Sequence, residues 1–485
     1  MLNKVISNSF LYSTSSIILR ASSIFLFPVF SFYLTKADYG ILLITQTLTV
    51  FITSLSNFET QKTLTRFLHN DDDSRKKVLG NIIITGFTSN TIILVVLLLF
   101  GNKILSYFLN DIPFYPYMFY SILCIFFTYL VGIYSSYLKA IQKGKNSFVF
   151  DISYSATNIV LNLFFIVVLK YNVIGLIYST LLSGALFSVI AFLKIKNVSS
   201  FNFDKKIIKS IIIYSAPLIP YMWLGIGIET VSTIFLNVEQ GKEISGIYYI
   251  AITFCSIFST IKGSIVLAIT PWFFQFYKTK TTFIKKVFID IIIFSAIIGF
   301  GISVYSYEFL SLLSSKYEFI EAWKYIPIIS LGFLIVFIGE LVNLPIYYEK
   351  EKTKLLILAN LGGLLLTLVL SYLLTFKFGI NGTIIARTSG YVLMTIIMII
   401  ISKKATGFQL NYFVISLIVL SSLVIFHLNF LPINYLLLLI IKLFTTLIIL
   451  ICFFRSILKK YYLTKRMYII YTSKIFKIFS IKLVY

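Results

Sequence analysis

Residues 78–100 read VLGNIIITGFTSNTIILVVLLLF, twenty-three positions without one charged side chain. At about 1.5 Å of rise per residue, a helix of that length crosses the roughly 30 Å hydrocarbon layer of a bilayer. Runs of the same kind recur from end to end of the 485-residue chain. Only 12% of the residues are charged and 58% are apolar, whereas a soluble domain carries about 25% charge to keep its surface wetted. A soluble globular protein is thereby excluded, and the chain reads as a polytopic membrane protein.

Breaking the chain at charge clusters and at Pro, Gly and Asn turns gives fourteen apolar spans. Spans 1 to 7 cover residues 9–33, 40–58, 78–100, 114–137, 148–168, 174–193 and 210–236. Spans 8 to 14 cover 245–270, 287–309, 326–347, 355–376, 381–402, 411–430 and 435–454. They are too long and too uniformly apolar for the alternating pattern of a transmembrane barrel. Only a helix satisfies its backbone within one segment, so the fold class is all-α.

Basic residues set the orientation, because loops rich in Lys and Arg stay in the cytoplasm. With the N-terminus inside, 31 of the 42 basic residues fall on the cytoplasmic side. The opposite loops hold seven: Lys36, Lys103, Lys170, Lys242, Lys316, Lys324 and Lys377. Arg20, Lys262, Arg387 and Lys442 lie inside spans. Both termini are expected in the cytoplasm. The net charge of +24 is then mostly topological, and no nucleic-acid partner is implied. The basic, aromatic-rich tail from Arg455 reads as a juxtamembrane segment on anionic lipid. The first apolar run is too long for a cleavable signal peptide and carries Arg20 at its centre. Cys124, Cys255 and Cys452 lie in apolar spans without metal-ligand spacing, so neither a disulfide framework nor a metal site is expected.

An internal repeat organises the chain. Gly40 matches Gly246 at an offset of 206 residues. Lys143 and Lys145 match Lys350 and Lys352 at 207. Lys170-Tyr171-Asn172-Val173-Ile174-Gly175 matches Lys377-Phe378-Gly379-Ile380-Asn381-Gly382, again at 207. An offset of six spans is even, so the copies are parallel and related by an axis along the membrane normal. We expect an N-terminal six-helix half (1–200), a C-terminal half (201–404), two additional spans (405–456) and a basic tail (457–485). Two halves facing each other across a cavity are the architecture of a secondary transporter.

Several short motifs, in this order and spacing, carry a resemblance that extends over essentially the whole chain. They are Arg20 with Pro28, the Ala37-Asp38-Tyr39-Gly40 turn, Arg66-Phe67, Tyr214 to Pro220, Gly246-Ile247-Tyr248 and Phe378-Gly379-Ile380-Asn381-Gly382. With them the chain resembles the Wzx-type oligosaccharide flippases. These form the polysaccharide transporter branch of the superfamily that also holds multidrug exporters and the lipid II flippase. The resemblance implies a transporter that turns a polyprenyl-diphosphate-linked oligosaccharide from the inner to the outer leaflet of the bacterial cytoplasmic membrane. It implies no cofactor, coupling to a proton or sodium gradient, and other polysaccharide assembly proteins as further partners.

Ionisable residues deep in a span are functional candidates because each is costly unless paired or hydrated. Arg20 sits at the centre of span 1 without an obvious acidic partner. Glu229 and Arg387 lie about 9 and 7 Å to the outer side of their span centres, and a pair between them is expected. Lys262 and Glu340 lie about 6 Å to the cytoplasmic side and are also matched in depth. Only six of the basic residues are arginines, yet two of these are intramembrane. A guanidinium suits bidentate contact with the diphosphate that the resemblance implies. Arg20 is thus the leading substrate-anion ligand, with Lys262 across the cavity, as the lipid II flippase has cavity cations in its first and eighth spans. The alternative for Arg20 is a tie to backbone carbonyls, and for Lys262 with Glu340 a structural ion pair. Lys442 reads as a snorkelling side chain or as part of a lipid-tail groove. His427 reads as interfacial, and Asp151 and Asp290 as solvated at the cytoplasmic edge. Pro28, Pro217 and Pro220 interrupt span backbones and are hinge candidates.

Two other readings compete. A multidrug antiporter of the same superfamily would have twelve spans and acidic cavity residues. A polysaccharide polymerase or ligase would need a substantial external loop for its reactive groups, and no loop here carries a nucleophile and base, a carboxylate dyad or a phosphate cradle. No catalytic residue is assigned.

Overall fold

A computed structural model describes residues 24–67, 72–216, 218–279, 281–349, 354–431, 434–449 and 451. Every regular element among them is helical, with no strand. A backbone in hydrocarbon has no water to bond to and must close its hydrogen bonds within the segment. Ten helices among the described residues are long and apolar enough to cross a membrane.

Two of the ten carry two spans each, and in both the join is a single glycine. The helix Leu356–Thr406 breaks at Gly379, where φ is +53°. A Cβ at Gly382 would lie 2.1 Å from the Leu374 carbonyl oxygen, and one at Gly390 2.8 Å from that of Gly363. Those contacts run in opposite directions along the chain, so spans 11 and 12 fold back on each other. The helix Leu218–Phe276 breaks at Gly241, where φ is +77°. A straight helix would separate residues 229 and 248 by about 28 Å, yet both reach the same guanidinium, that of Arg387. Span 8 therefore folds back on span 7. Left-handed φ values suit glycine because it has no Cβ to clash.

Helices overshoot the apolar limits read from the sequence, because hydrocarbon sets the apolar run whereas capping sets the helix end. Span 2 is the helix Lys36–Ser56, which begins ahead of residue 40. Its start is a capping box: Asp38 donates its backbone N–H to Thr35 Oγ1 (3.2 Å), and the Thr35 backbone N–H donates to Asp38 Oδ2 (2.9 Å). Span 3 runs over Asp72–Leu109 and carries Arg75, Lys76 and Lys77 in its first turns. Span 7, expected over 210–236, differs more. An amphipathic helix, Lys205–Ser215, capped by the Asp204 carboxylate, comes ahead of the helix described from Leu218 onward. Span 9 ends at Val304 and is followed by a separate short helix, Ser306–Leu313.

Contacts divide the chain into two compact units, 1–426 and 427–485. In the first, span 13 (Tyr412–Phe426) packs against span 9 (Thr281–Val304) and span 10 (Ile326–Tyr348). Phe426 presses on Gly299, where a Cβ would meet its ring at 2.8 Å. In the second, the described apolar helix is Tyr435–Ile449, shorter than the ten candidate spans.

Candidate functional site

The deepest polar cluster gathers on spans 7, 8 and 12. Arg387 is 4% exposed and uses three of its nitrogens. Its Nη2 donates to Glu229 Oε1 at 2.7 Å, its Nε to the Tyr391 hydroxyl at 3.0 Å and its Nη1 to the Tyr248 hydroxyl at 3.0 Å. Tyr391 in turn donates its O–H to Glu229 Oε1 at 2.6 Å. The guanidinium lies over the rings of Phe333 and Tyr391, 5.5 and 5.4 Å from their centroids. The sequence places Arg387 and Tyr391 one helical turn apart on one face, and the reversal at Gly241 brings Glu229 and Tyr248 to them.

The partners differ in exposure: the Glu229 side chain is 53% exposed and that of Arg387 only 4%. A half-exposed carboxylate inside a span is costly against lipid, so its open side calls for water or a polar partner. The second pair repeats this asymmetry. Lys262 Nζ donates to Glu340 Oε1 at 2.9 Å, with the lysine side chain 8% and the glutamate 38% exposed. In both pairs the base is the buried partner and the acid the exposed one. The Tyr221 and Tyr347 hydroxyls are 2.8 Å apart.

The candidate anion ligand Lys262 is therefore held by a carboxylate in this conformation, since an ammonium at that depth binds the acid level with it. Arg20 and Pro217 lie outside the described residues. Lys442 belongs to the 427–485 unit, where its carbonyl accepts from the Thr445 and Thr446 hydroxyls. Pro28 stands in the first turn of Phe27–Tyr33, just after a break at Leu26. Pro28 thus occupies a helix start, where a missing N–H costs nothing. Pro220 lies in the described helix Leu218–Phe276. Asp151, read from sequence as solvated, is instead paired with Lys139 at 3.2 Å and is 12% exposed; its helix, Gly144–Leu163, puts it beside the last turn of span 4. Cys124 and Cys255 are buried free thiols. Among the described residues no group of three His, Cys, Asp or Glu side chains comes together as metal ligands.

The repeat-related helices 36–56 and 242–276 cross through bare backbone. A Cβ added at Gly40 would lie 1.8 Å from the Lys242 carbonyl oxygen, and one added at Gly246 would lie 1.9 Å from that of Lys36. Gly40 matches Gly246 and Lys36 matches Lys242 at the same offset of 206, so the contact is reciprocal about the repeat axis. Small residues are what allow such approach in lipid. At the same end, Tyr249 donates its O–H to Gln46 Oε1 at 3.0 Å, and Asn237 donates to the Leu109 carbonyl at 3.3 Å.

Two cavities flank this crossing. One, of about 670 Å³, is lined by apolar side chains of spans 2, 3 and 7, including Leu48, Phe51 and Trp223; the last two stack at 4.9 Å. The other, of about 290 Å³, has a mixed lining in which apolar side chains such as Phe27, Leu42 and Ile177 alternate with uncharged polar ones, Gln46, Thr49, Asn158, Asn162 and Thr180. The sequence signal for the polar ones is an amide pair at i, i+4 in an otherwise apolar run.

Fold and charges together define an all-helical, two-repeat membrane protein with paired ions in the middle of its bundle. The chain belongs to the polysaccharide biosynthesis protein family, whose sequence profile matches residues 5–277. Its fold is similar to that of the lipid II flippase MurJ, solved in an inward closed conformation, at a TM-score of 0.71 and 14% identity over 93% of this chain and 100% of that one. It is also similar to the Vibrio cholerae MATE transporter VcmN in the bent form (TM-score 0.57, 14% identity, 84% of this chain and 98% of that one). The eukaryotic MATE transporter AtDTX14 aligns at a TM-score of 0.59 and 15% identity, over 84% of this chain and 97% of that one. None of the curated proteins matches the chain in sequence.

Proposed function

We propose that this protein turns a polyprenyl-diphosphate-linked oligosaccharide, headgroup first, from the inner to the outer leaflet of the bacterial cytoplasmic membrane by alternating access. The observation that carries the reading is the reciprocal glycine crossing in a chain of the polysaccharide biosynthesis family. Two parallel halves, 1–200 and 201–404, joined through backbone at symmetric points can pivot without losing side-chain packing there. The spans at 405–456 and the tail at 457–485 are additions to that pair. Both termini are cytoplasmic, and the Gly40–Gly246 end faces outward.

The diphosphate is taken up by Arg20 and by Lys262. At Lys262 it competes with Glu340, and the repulsion between phosphate and the exposed carboxylate lets the cargo leave again. A proton or sodium gradient is the energy source, and other polysaccharide assembly proteins supply the substrate and receive it. The cation-antiporter reading is weakened because Glu229 and Glu340 are each already bound to a basic side chain.

The test is reconstitution. Vesicles holding the purified protein should expose a fluorescent lipid-linked oligosaccharide to an external quencher faster than empty vesicles do. Equal rates in both refute the assignment.

A further inference from the structure

We infer that the smaller cavity, walled mainly by the N-terminal half and closed by span 8, is a binding site for a neutral saccharide unit, which rests on the transport reading and names what it recognises. The cavity holds about 290 Å³ and is lined from spans 1, 2, 4, 5, 6 and 8. One wall is aromatic, with Tyr39 and Tyr249 ring centroids 5.9 Å apart at 31°. The other carries amides and hydroxyls in a chain: Asn162 donates to Asn158 Oδ1 at 2.9 Å, and Asn158 donates to Ser183 Oγ at 3.1 Å.

That chain is incomplete. Tyr39 is 4% exposed and Asn162 9%, yet the Tyr39 hydroxyl, Asn162 Oδ1 and the nearby Thr49 hydroxyl have no hydrogen-bond partner among the described residues. Buried polar groups without partners are costly, most of all where lipid surrounds the bundle. These three atoms lie beneath the cavity surface, and the amides and hydroxyls that do line the space, such as Gln46, Asn158 and Thr180, suit a ligand that brings donors and acceptors of its own. Its chemistry follows from the walls. No charged side chain lines the space, so an ion would find no countercharge. Amides and hydroxyls both give and accept hydrogen bonds, as sugar hydroxyls do, and aromatic rings offer the C–H face of a pyranose an apolar surface.

The repeat explains why the space exists in this half. At the offset of 207, Arg387 corresponds to Thr180 and Tyr391 to Gly184, and at 206 Tyr248 corresponds to Leu42. In the C-terminal half those three large side chains fill the interior around Glu229. In the N-terminal half their smaller counterparts leave it open, and Thr180 and Leu42 line it. One half holds a charged cluster, and the other supplies most of the walls of an uncharged cavity with a mixed lining.

The protein in lipid nanodiscs can be probed by saturation-transfer NMR with methyl glucoside, methyl galactoside and methyl N-acetylglucosaminide. At least one should receive saturation, and its affinity should fall about tenfold in Asn162→Leu and in Gln46→Met, the loss expected of one buried hydrogen bond. Thr180→Phe, which fills the cavity from the position where the other half carries Arg387, should block binding with the amides intact. No transfer to any glycoside, or transfer undiminished in all three variants, overturns the site. A melting-temperature shift produced by sodium alone and lost in Asn162→Leu makes the cavity an ion site and overturns the saccharide assignment. Vesicle flipping by the wild-type protein is read in parallel. Flipping without glycoside binding sinks the site alone, while glycoside binding lost in the variants, from a wild type that flips nothing, supports the site and sinks the transport reading.

Discussion

Replacing Gly40 by alanine puts a methyl group where no room exists. The new Cβ would sit 1.8 Å from the Lys242 carbonyl oxygen, whereas ordinary contact begins at 3.4 Å. The two helices must therefore part by up to about 1.6 Å at the crossing or lose the contact. With a Cα–Cβ bond of about 1.5 Å, the glycine Cα now lies at most about 3.3 Å from that oxygen, the range of a Cα–H···O contact, which is lost as well. Overpacking of this kind costs about 1–3 kcal/mol, and the cost falls only on states in which the crossing is closed. A conformation with the crossing parted gains relative population by about 5- to 150-fold.

The assay uses Thr45→Cys, five residues beyond Gly40 and itself 2% exposed. Its reaction with an impermeant maleimide, added from the side bearing Gly40, should accelerate in Gly40→Ala. Because the contact is reciprocal, Gly246→Ala should accelerate it too, its Cβ falling 1.9 Å from the Lys36 oxygen. Gly263→Ala is the control, since nothing lies within 4 Å of a Cβ there. Unchanged labelling in both glycine variants, at normal expression, would refute the argument that this crossing closes the outer end.

The charged cluster makes an asymmetric prediction. Glu229→Gln leaves a 4% exposed guanidinium without its counter-ion and should destabilise by about 3 kcal/mol or more, whereas Arg387→Met leaves a half-exposed carboxylate that water can solvate and should cost less; thermal unfolding in detergent ranks the two, and the reverse order defeats the reasoning. Tyr391→Phe removes hydrogen bonds to both partners and should cost about 1–3 kcal/mol in the same assay. Glu340→Gln should release Lys262 and tighten binding of inorganic pyrophosphate in calorimetry, while Lys262→Met should weaken it; equal affinities would return the pair to a structural role. Arg20→Ala should abolish export at matched protein level and Arg20→Lys restore it in part, because the bidentate fork is gone; full export by the alanine variant would remove Arg20 from the substrate path. Impermeant labelling of Lys143→Cys and Lys316→Cys should come from opposite faces of the membrane, and labelling from one face would overturn the proposed orientation.

Hydrocarbon is a strict solvent, and so the class of this protein is written along the chain. Apolar runs such as 78–100 declare the spans because lipid leaves a backbone no choice but helix. The repeat, too, is legible, since Gly40 and Gly246 are preserved where two backbones meet. Depth along a span is a linear quantity, and counting residues from the span centre already puts Glu229 level with Arg387 and Lys262 level with Glu340. Direction and neighbours are not linear quantities. Only the reversal at Gly241 brings Tyr248 to the Arg387 guanidinium alongside Glu229, and only packing buries the cations and leaves the carboxylates exposed. The neutral cavity lay furthest from a reading of the sequence. Gln46, Asn158 and Thr180 carry no charge to mark them, and they become a lining only because six spans converge, with the smaller side chains of the N-terminal half leaving between them the space that Arg387 and its tyrosines occupy in the other.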